Sequence, residues 1–165
     1  PPALEEAIKA IEQADGIVIG PGSLYTSILP NLLVPGIRDA IASSRARKLY
    51  ICNIMTQPGE TDGYSVSDHV LAIERHAGRL FTSVLANTSE APEETAAKYA
   101  EEGRFQVRLD RAGLTEKGYS VVAGDYLSRG DLARHDSAKL AFSIVQFVRG
   151  MGDLSIRRKK VASGS

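Results

Sequence analysis

The run Gly20-Pro21-Gly22-Ser23-Leu24-Tyr25-Thr26-Ser27 combines the residue types that hold an anion. Glycines let backbone N–H groups approach a ligand closely, hydroxyls donate further hydrogen bonds, and a helix start behind them carries partial positive charge. The same composition also suits a tight turn that holds nothing. There is no G-x-G-x-x-G and no Lys after the glycines, so neither the Rossmann fingerprint nor a Walker loop is present. A second polar loop, Asn53 to Tyr64, is dense in Asn, Thr and Gln, which read hydrogen-bonding patterns on a sugar, base or ribose without ionising. Its Pro58-Gly59 and Asp62-Gly63 pairs account for a turn. Asn53 and Gln57 are not needed for that turn, and they point to binding.

Other chemistries find less support. His69 and His76 are seven residues apart on a helical pattern, about 10 Å along the axis, too far to share one ion. His69 follows Asp68 and His135 precedes Asp136, pairs that suit surface or capping roles. No dedicated metal site is expected, although Mg²⁺ accompanying a diphosphate needs only one or two carboxylates, for which Glu60 and Asp62 are candidates. Gly63-Tyr64-Ser65-Val66-Ser67 is not G-x-S-x-G, and no His is placed by sequence to activate Ser65. Cys52 sits in an apolar run, where an inert small hydrophobe is the default. No catalytic residue can be assigned.

The elements that must position these loops are legible as periodicity. Gly16-Ile17-Val18-Ile19 contains a short strand at Ile17 to Ile19, which empties into the first loop; Lys48 to Ile54 reads as a second strand and Leu80 to Ala86 as a third, ending at Asn87. Helical spacing marks Ala3 to Ala14, Ile37 to Ser44 and Val66 to Ala77, the last with Ser65 as N-cap. Leu24 to Leu33 reads as a helix interrupted at Pro30. Strand–helix alternation is the rhythm of a parallel α/β sheet, with polar turns at 20–27, 53–64 and 87–89 meeting at the carboxyl edge of the strands. Further along, Pro92 to Glu102 reads as a charged helix, and Arg104 to Leu109 and Tyr119 to Ala123 as edge strands joined by a turn-rich Asp110 to Gly118. Asp136 caps a final helix, Ser137 to Arg149, with a strong apolar face.

The 165 residues make one domain, here 1–150, followed by a basic, flexible tail at 151–165. Twenty basic and twenty acidic residues cancel, so no overall field attracts nucleic acid or an anionic membrane. The single cysteine rules out an internal disulfide and fits a reducing compartment. No apolar stretch approaches the roughly 20 residues of a membrane span. No signal peptide is read at the start, and Pro1 in place of Met suggests a processed or trimmed chain.

The two loops, extended through Ile28-Leu29-Pro30-Asn31-Leu32-Leu33-Val34-Pro35-Gly36-Ile37 and to Ser65, closely resemble the gluconeogenesis factor family. That family is the bacterial branch of the CofD-like superfamily, which also contains 2-phospho-L-lactate transferase, and the similarity covers residues 3 to 150. The resemblance implies a three-layer α/β sandwich with a Rossmann-like, mostly parallel sheet. It also implies a cytoplasmic protein that binds a nucleotide sugar of the UDP-N-acetylglucosamine type and links gluconeogenic carbon metabolism to cell-wall synthesis and cell shape. The transferase branch carries Gly-Pro-Ser-Asn-Pro where this chain has Gly20-Pro21-Gly22-Ser23-Leu24, which points to the regulatory branch. Family members begin with a strand and a Gly-Gly-Gly-Thr-Gly loop that this chain lacks, so it resembles the carboxyl-terminal part of such a protein.

On this reading Gly20, Pro21, Gly22, Ser23, Thr26 and Ser27 hold the diphosphate and Tyr25 stacks on a ring. Asn53, Thr56, Gln57 and Asn87 select hydroxyls, and Glu60 and Thr61 complete the ligand-binding set. No cofactor is required. The alternatives are a Mg²⁺-dependent transferase using a nucleoside-diphosphate donor, and a protein that binds NAD or NADP. A homo-oligomer and an amino-terminal half of the same protein are the expected protein partners.

Overall fold

In the computed structural model, which describes residues 2–130 and 132–150, four strands form one all-parallel sheet. They are β1 (Gly16–Ile19), β2 (Arg47–Ile51), β3 (Ser83–Asn87) and β4 (Ser120–Gly124), side by side in chain order. The tail at 151–165 lies outside the described residues. Pairing sets Ile19 beside Tyr50, Tyr50 beside Val84, and Val84 beside Val121. Strand side chains alternate between faces, so these four share one face and pack in the larger core cluster. Ile51, Leu85 and Val122 turn to the other face.

The larger core is closed by α2 (Leu29–Leu32), α3 (Ile37–Ser43), α4 (Val66–Ala77) and α6 (Arg111–Glu116), which contribute Leu29, Leu32, Ile41, Val70, Ile73 and Leu114. Crossovers of one hand between sequential strands put these four helices on the same side. On that side α1 (Glu5–Gln13) packs along α3. The opposite face is covered by α7 (Ser137–Val148) through Leu140, Ile144, Phe147 and Val148, completing three layers. A third, small cluster of Ile54, Leu127 and Ala133 packs against Met55, Ala91 and Tyr99, the last from α5 (Glu93–Glu101).

Five expectations need correction. The second strand stops at Ile51, not Ile54: Cys52 still donates to the Leu85 carbonyl, but Asn53 then turns away to bind the first loop. The third begins at Ser83, although Leu80 and Phe81 before it are buried. Residues 104–109 do not join the sheet. They run beside the loop after β2, with a single antiparallel bridge between Met55 and Gln106. Asp110 to Gly118 contains the helix α6. Leu24–Ile28 is wound as a π-helical turn ahead of α2, with the Ile28 amide reaching back five residues to the Ser23 carbonyl.

Candidate functional site

The first two polar loops leave the carboxyl ends of adjacent strands, and the register of β1 on β2 sets them side by side. Asn53 fastens them together. Its Oδ1 accepts from the Gly22 amide at 3.0 Å and its Nδ2 donates to the Gly22 carbonyl at 2.9 Å. Gly20 has φ +89°, and a Cβ there would lie 2.8 Å from the Ile51 carbonyl oxygen, so only glycine lets the exit of β1 pass this close to β2. The Gly20–Pro21 bond is cis. Ser23 donates to the Glu60 carboxylate at 2.7 Å and accepts from the Thr26 hydroxyl. Helical donation begins at Ser27, whose amide goes to the Ser23 carbonyl, so the amides of Leu24, Tyr25 and Thr26 are the unsatisfied donors of a helix start.

A crevice of about 340 Å³ opens between these loops, lined by Gly22, Ser23, Asn53, Thr56 and Gln57 together with Met55 and Ile54. Its far wall comes from parts of the chain that sequence reasoning did not connect to it: Tyr99 of α5, Arg104, Arg134 and His135. Residues 104–107 are clamped to the loop after β2 by Thr56 N–H to the Phe105 carbonyl, Phe105 N–H to Thr56 Oγ1, and Val107 N–H to the Ile54 carbonyl. Arg134 and His135 arrive on a doubled-back segment in which Leu127 bridges His135 and Ser128 donates to the Arg134 carbonyl. Arg104 makes a loose ion pair with Glu102 at 3.4 Å, with both side chains largely exposed. Arg134 has no ion-pair partner among the described residues. Both guanidiniums can therefore turn to an anion. The Arg134-His135-Asp136 run ahead of the final helix was the one available sequence signal. Asp136 takes the expected role, accepting from Ala138 and Lys139 to cap α7.

The remaining sequence candidates, Thr56 apart, do not line the crevice. Pro21, Thr26 and Ser27 are exposed, and the Ser27 carbonyl holds Asn31. Tyr25 turns toward α4: its hydroxyl meets that of Tyr64 at 3.0 Å, which with burial holds its pKa above the usual tyrosine value. The Thr56 and Thr61 hydroxyls accept from backbone amides, those of Phe105 and Gln57, and both side chains are buried. Asn87 lies outside the crevice, where its Oδ1 accepts from Ser89 and Tyr126 and its Nδ2 donates to the Ser89 carbonyl. Two of the three polar turns thus form the crevice, and the third anchors the segment after β4. Asp62 accepts from the Gly59 amide in an exposed turn. Among the described residues, no three His, Cys, Asp or Glu side chains gather to hold a metal ion. Cys52 is buried beneath the site and its thiol is pushed up to about 12, chiefly by that burial.

Together these features define a protein with a parallel α/β sheet and a polar crevice, flanked by cations, at the carboxyl ends of two neighbouring strands. The chain belongs to the 2-phospho-L-lactate transferase CofD family, whose model matches residues 1–127. It is 48% identical over 146 residues to the gluconeogenesis factor of Halalkalibacterium halodurans, covering 87% of this chain and 45% of that protein. To the gluconeogenesis factor of Bacillus subtilis it is 44% identical over 148 residues, covering 88% and 47% respectively. The crystal structure of a UPF0052-family protein from Bacillus halodurans superposes with a TM-score of 0.85 at 46% identity, over 87% of this chain and 47% of the other. The chain thus spans less than half the length of these relatives. Among the described residues, no helix is long and apolar enough to cross a membrane.

Proposed function

We propose that this chain forms part of a cytoplasmic regulatory protein that binds a nucleotide sugar of the UDP-N-acetylglucosamine type and links gluconeogenic carbon metabolism to cell-wall synthesis and cell shape. The observation that carries the reading is the crevice itself. Two guanidiniums suit a diphosphate, and neutral polar groups beside them suit what the diphosphate carries. The relatives' names supply the metabolic setting. Calorimetric titration of the full-length protein with UDP-N-acetylglucosamine should give saturable binding. Replacing Arg104 and Arg134 together by Ala should weaken it by at least about tenfold, because hydrogen bonds to charged groups contribute about 1.5–3 kcal/mol. Both side chains are exposed, so the melting temperature should stay put. Unchanged affinity would remove the crevice from the site.

A second reading is favoured by the family model, whose description is a transferase. In it, Glu60, already at the first loop through Ser23, would help hold the Mg²⁺ that accompanies a diphosphate and neutralises its charge. That reading requires metal-dependent turnover of a nucleotide conjugate, and the regulatory one requires binding without turnover. An NAD- or NADP-binding protein, the third reading, is separated by competition against the UDP-sugar.

A further inference from the structure

Two hydrogen-bond acceptors belonging to the crevice have nothing to accept from. Gln57 Oε1 and His135 Nε2 are buried and without a partner, and both residues line the crevice. Buried acceptors without donors are costly, and native structures keep few of them. Among the described residues there is one other, His69 Nε2, which belongs to the packed face of α4 with the Tyr64 ring set edge-on against it. The side chain of Gln57 is not engaged in building its loop. The backbone does that work: its amide donates to Thr61 Oγ1, and its carbonyl accepts from Glu60 and Thr61. The ring of His135 is held by a hydrogen bond to the Cys52 carbonyl. In the neutral ring one nitrogen carries the proton and the other a lone pair, so a proton on Nδ1 leaves the unpartnered Nε2 as an acceptor. Burial favours the neutral ring.

We infer that Gln57 and His135 are the specificity-determining pair of this crevice, accepting hydrogen bonds from the hydroxyl or amide N–H groups of a sugar covalently attached to the anion. The inference rests on the nucleotide-type reading above and adds the residues that distinguish a conjugate from a bare nucleoside diphosphate. The arginines attract either ligand. Unmet neutral acceptors, by contrast, are satisfied by a group that brings donors, which a bare, ionised terminal phosphate does not. A site built to hydrogen-bond a hydroxyl discriminates strongly against a ligand that lacks it. The attached sugar is a hexose in a nucleotide sugar and a second ribose in a dinucleotide. Titration with UDP-N-acetylglucosamine and with NAD tells these apart.

The experiment is calorimetry on the full-length protein with UDP, UDP-N-acetylglucosamine and NAD. Gln57→Met and His135→Phe each remove an acceptor at similar volume. Either should weaken whichever conjugate binds by about tenfold or more, a typical cost of an unmet hydrogen bond, while UDP affinity changes less than twofold. His135→Asn keeps a donor for the Cys52 carbonyl and covers the case in which the phenylalanine variant does not fold. On the unaltered protein, a UDP-hexose lacking one ring hydroxyl should lose affinity toward that of UDP at the hydroxyl that meets this pair. Equal losses for UDP and the conjugate, or no loss for either, would overturn the assignment and leave the nucleotide reading standing. If the unaltered protein binds none of the three ligands, both readings fall.

Discussion

Asn53 spends both ends of its side-chain amide on the backbone of one residue, Gly22, and that pair of bonds joins the two loops of the crevice. Truncation to Ala leaves a half-buried donor and acceptor unmet, at a cost of about 1–3 kcal/mol. Asn53→Ala should therefore lower the unfolding free energy by that amount, read as a lower urea midpoint at unchanged denaturant slope, whether or not ligand is present. A midpoint equal to that of the unaltered protein would show that Gly22 finds other partners. The same residue shows how far sequence can speak for function. An amide that recognises a ribose recognises a peptide equally well, so Asn53 was visible as a polar side chain after a strand but not as a brace. Thr56, Thr61 and Asn87 follow the same rule, each serving backbone amides. The residues that sequence missed, Arg104, Arg134 and His135, lie some 50 to 80 positions from the loop they face, a separation that no local pattern spans.

α4 was legible to the residue because two local signals agree: an N-cap serine and apolar spacing at Val66, Val70 and Ile73; the structure adds Gly78 as its C-cap. The structure closes the cap as a box, with Ser65 Oγ accepting from the Asp68 amide and the Asp68 carboxylate accepting from the Ser65 amide at 2.8 Å. Asp110 locks the same turn from outside, taking hydrogen bonds from the Ser67 amide and from the hydroxyls of Ser67 and Ser65. Burial alone would raise its pKa, but these donors outweigh burial and hold the carboxyl below its ordinary value. Ser65→Ala removes the cap and one of these donors, so a loss of about 1–2 kcal/mol in thermal or urea unfolding is expected. A loss under half that would mean that Asp110 caps the helix unaided. α6 was illegible for the opposite reason. Its six residues complete under two turns and bury only Leu114, so no period accumulates. Residues 104–109 read as a strand in sequence, but they run against a loop that offers one bridge rather than a ladder.

Across the whole molecule, periodicity and strand–helix alternation supplied the first three strands and their parallel sense, while β4 was read only as an edge strand. The pairing order came only from the structure, because strands joined by helices carry no local mark of their neighbours. Sequential order places the connecting helices against one face and leaves the other to α7. Two imidazoles are caught in the packing that results. His69 is 1% exposed with Nδ1 on the Ser65 carbonyl at 2.8 Å, and His135 is held on the Cys52 carbonyl. Burial lowers the pKa of both below the ordinary 6.5. The unfolded chain therefore binds more protons than the native one as pH falls below that value. By linkage, stability is fully present above about pH 6.5 and declines as the pH drops toward the native-state values. Asp110, lowered from 3.8, adds a further loss at still lower pH, as its native carboxylate is protonated. Urea unfolding followed from pH 7.5 to pH 5 should show stability falling steadily, and His69→Gln should flatten part of that slope by removing one of the two titrating rings. A profile that stays level across this window would mean that both rings gain protons in the native state as readily as in water, through openings of the sheet faces that these contacts do not admit.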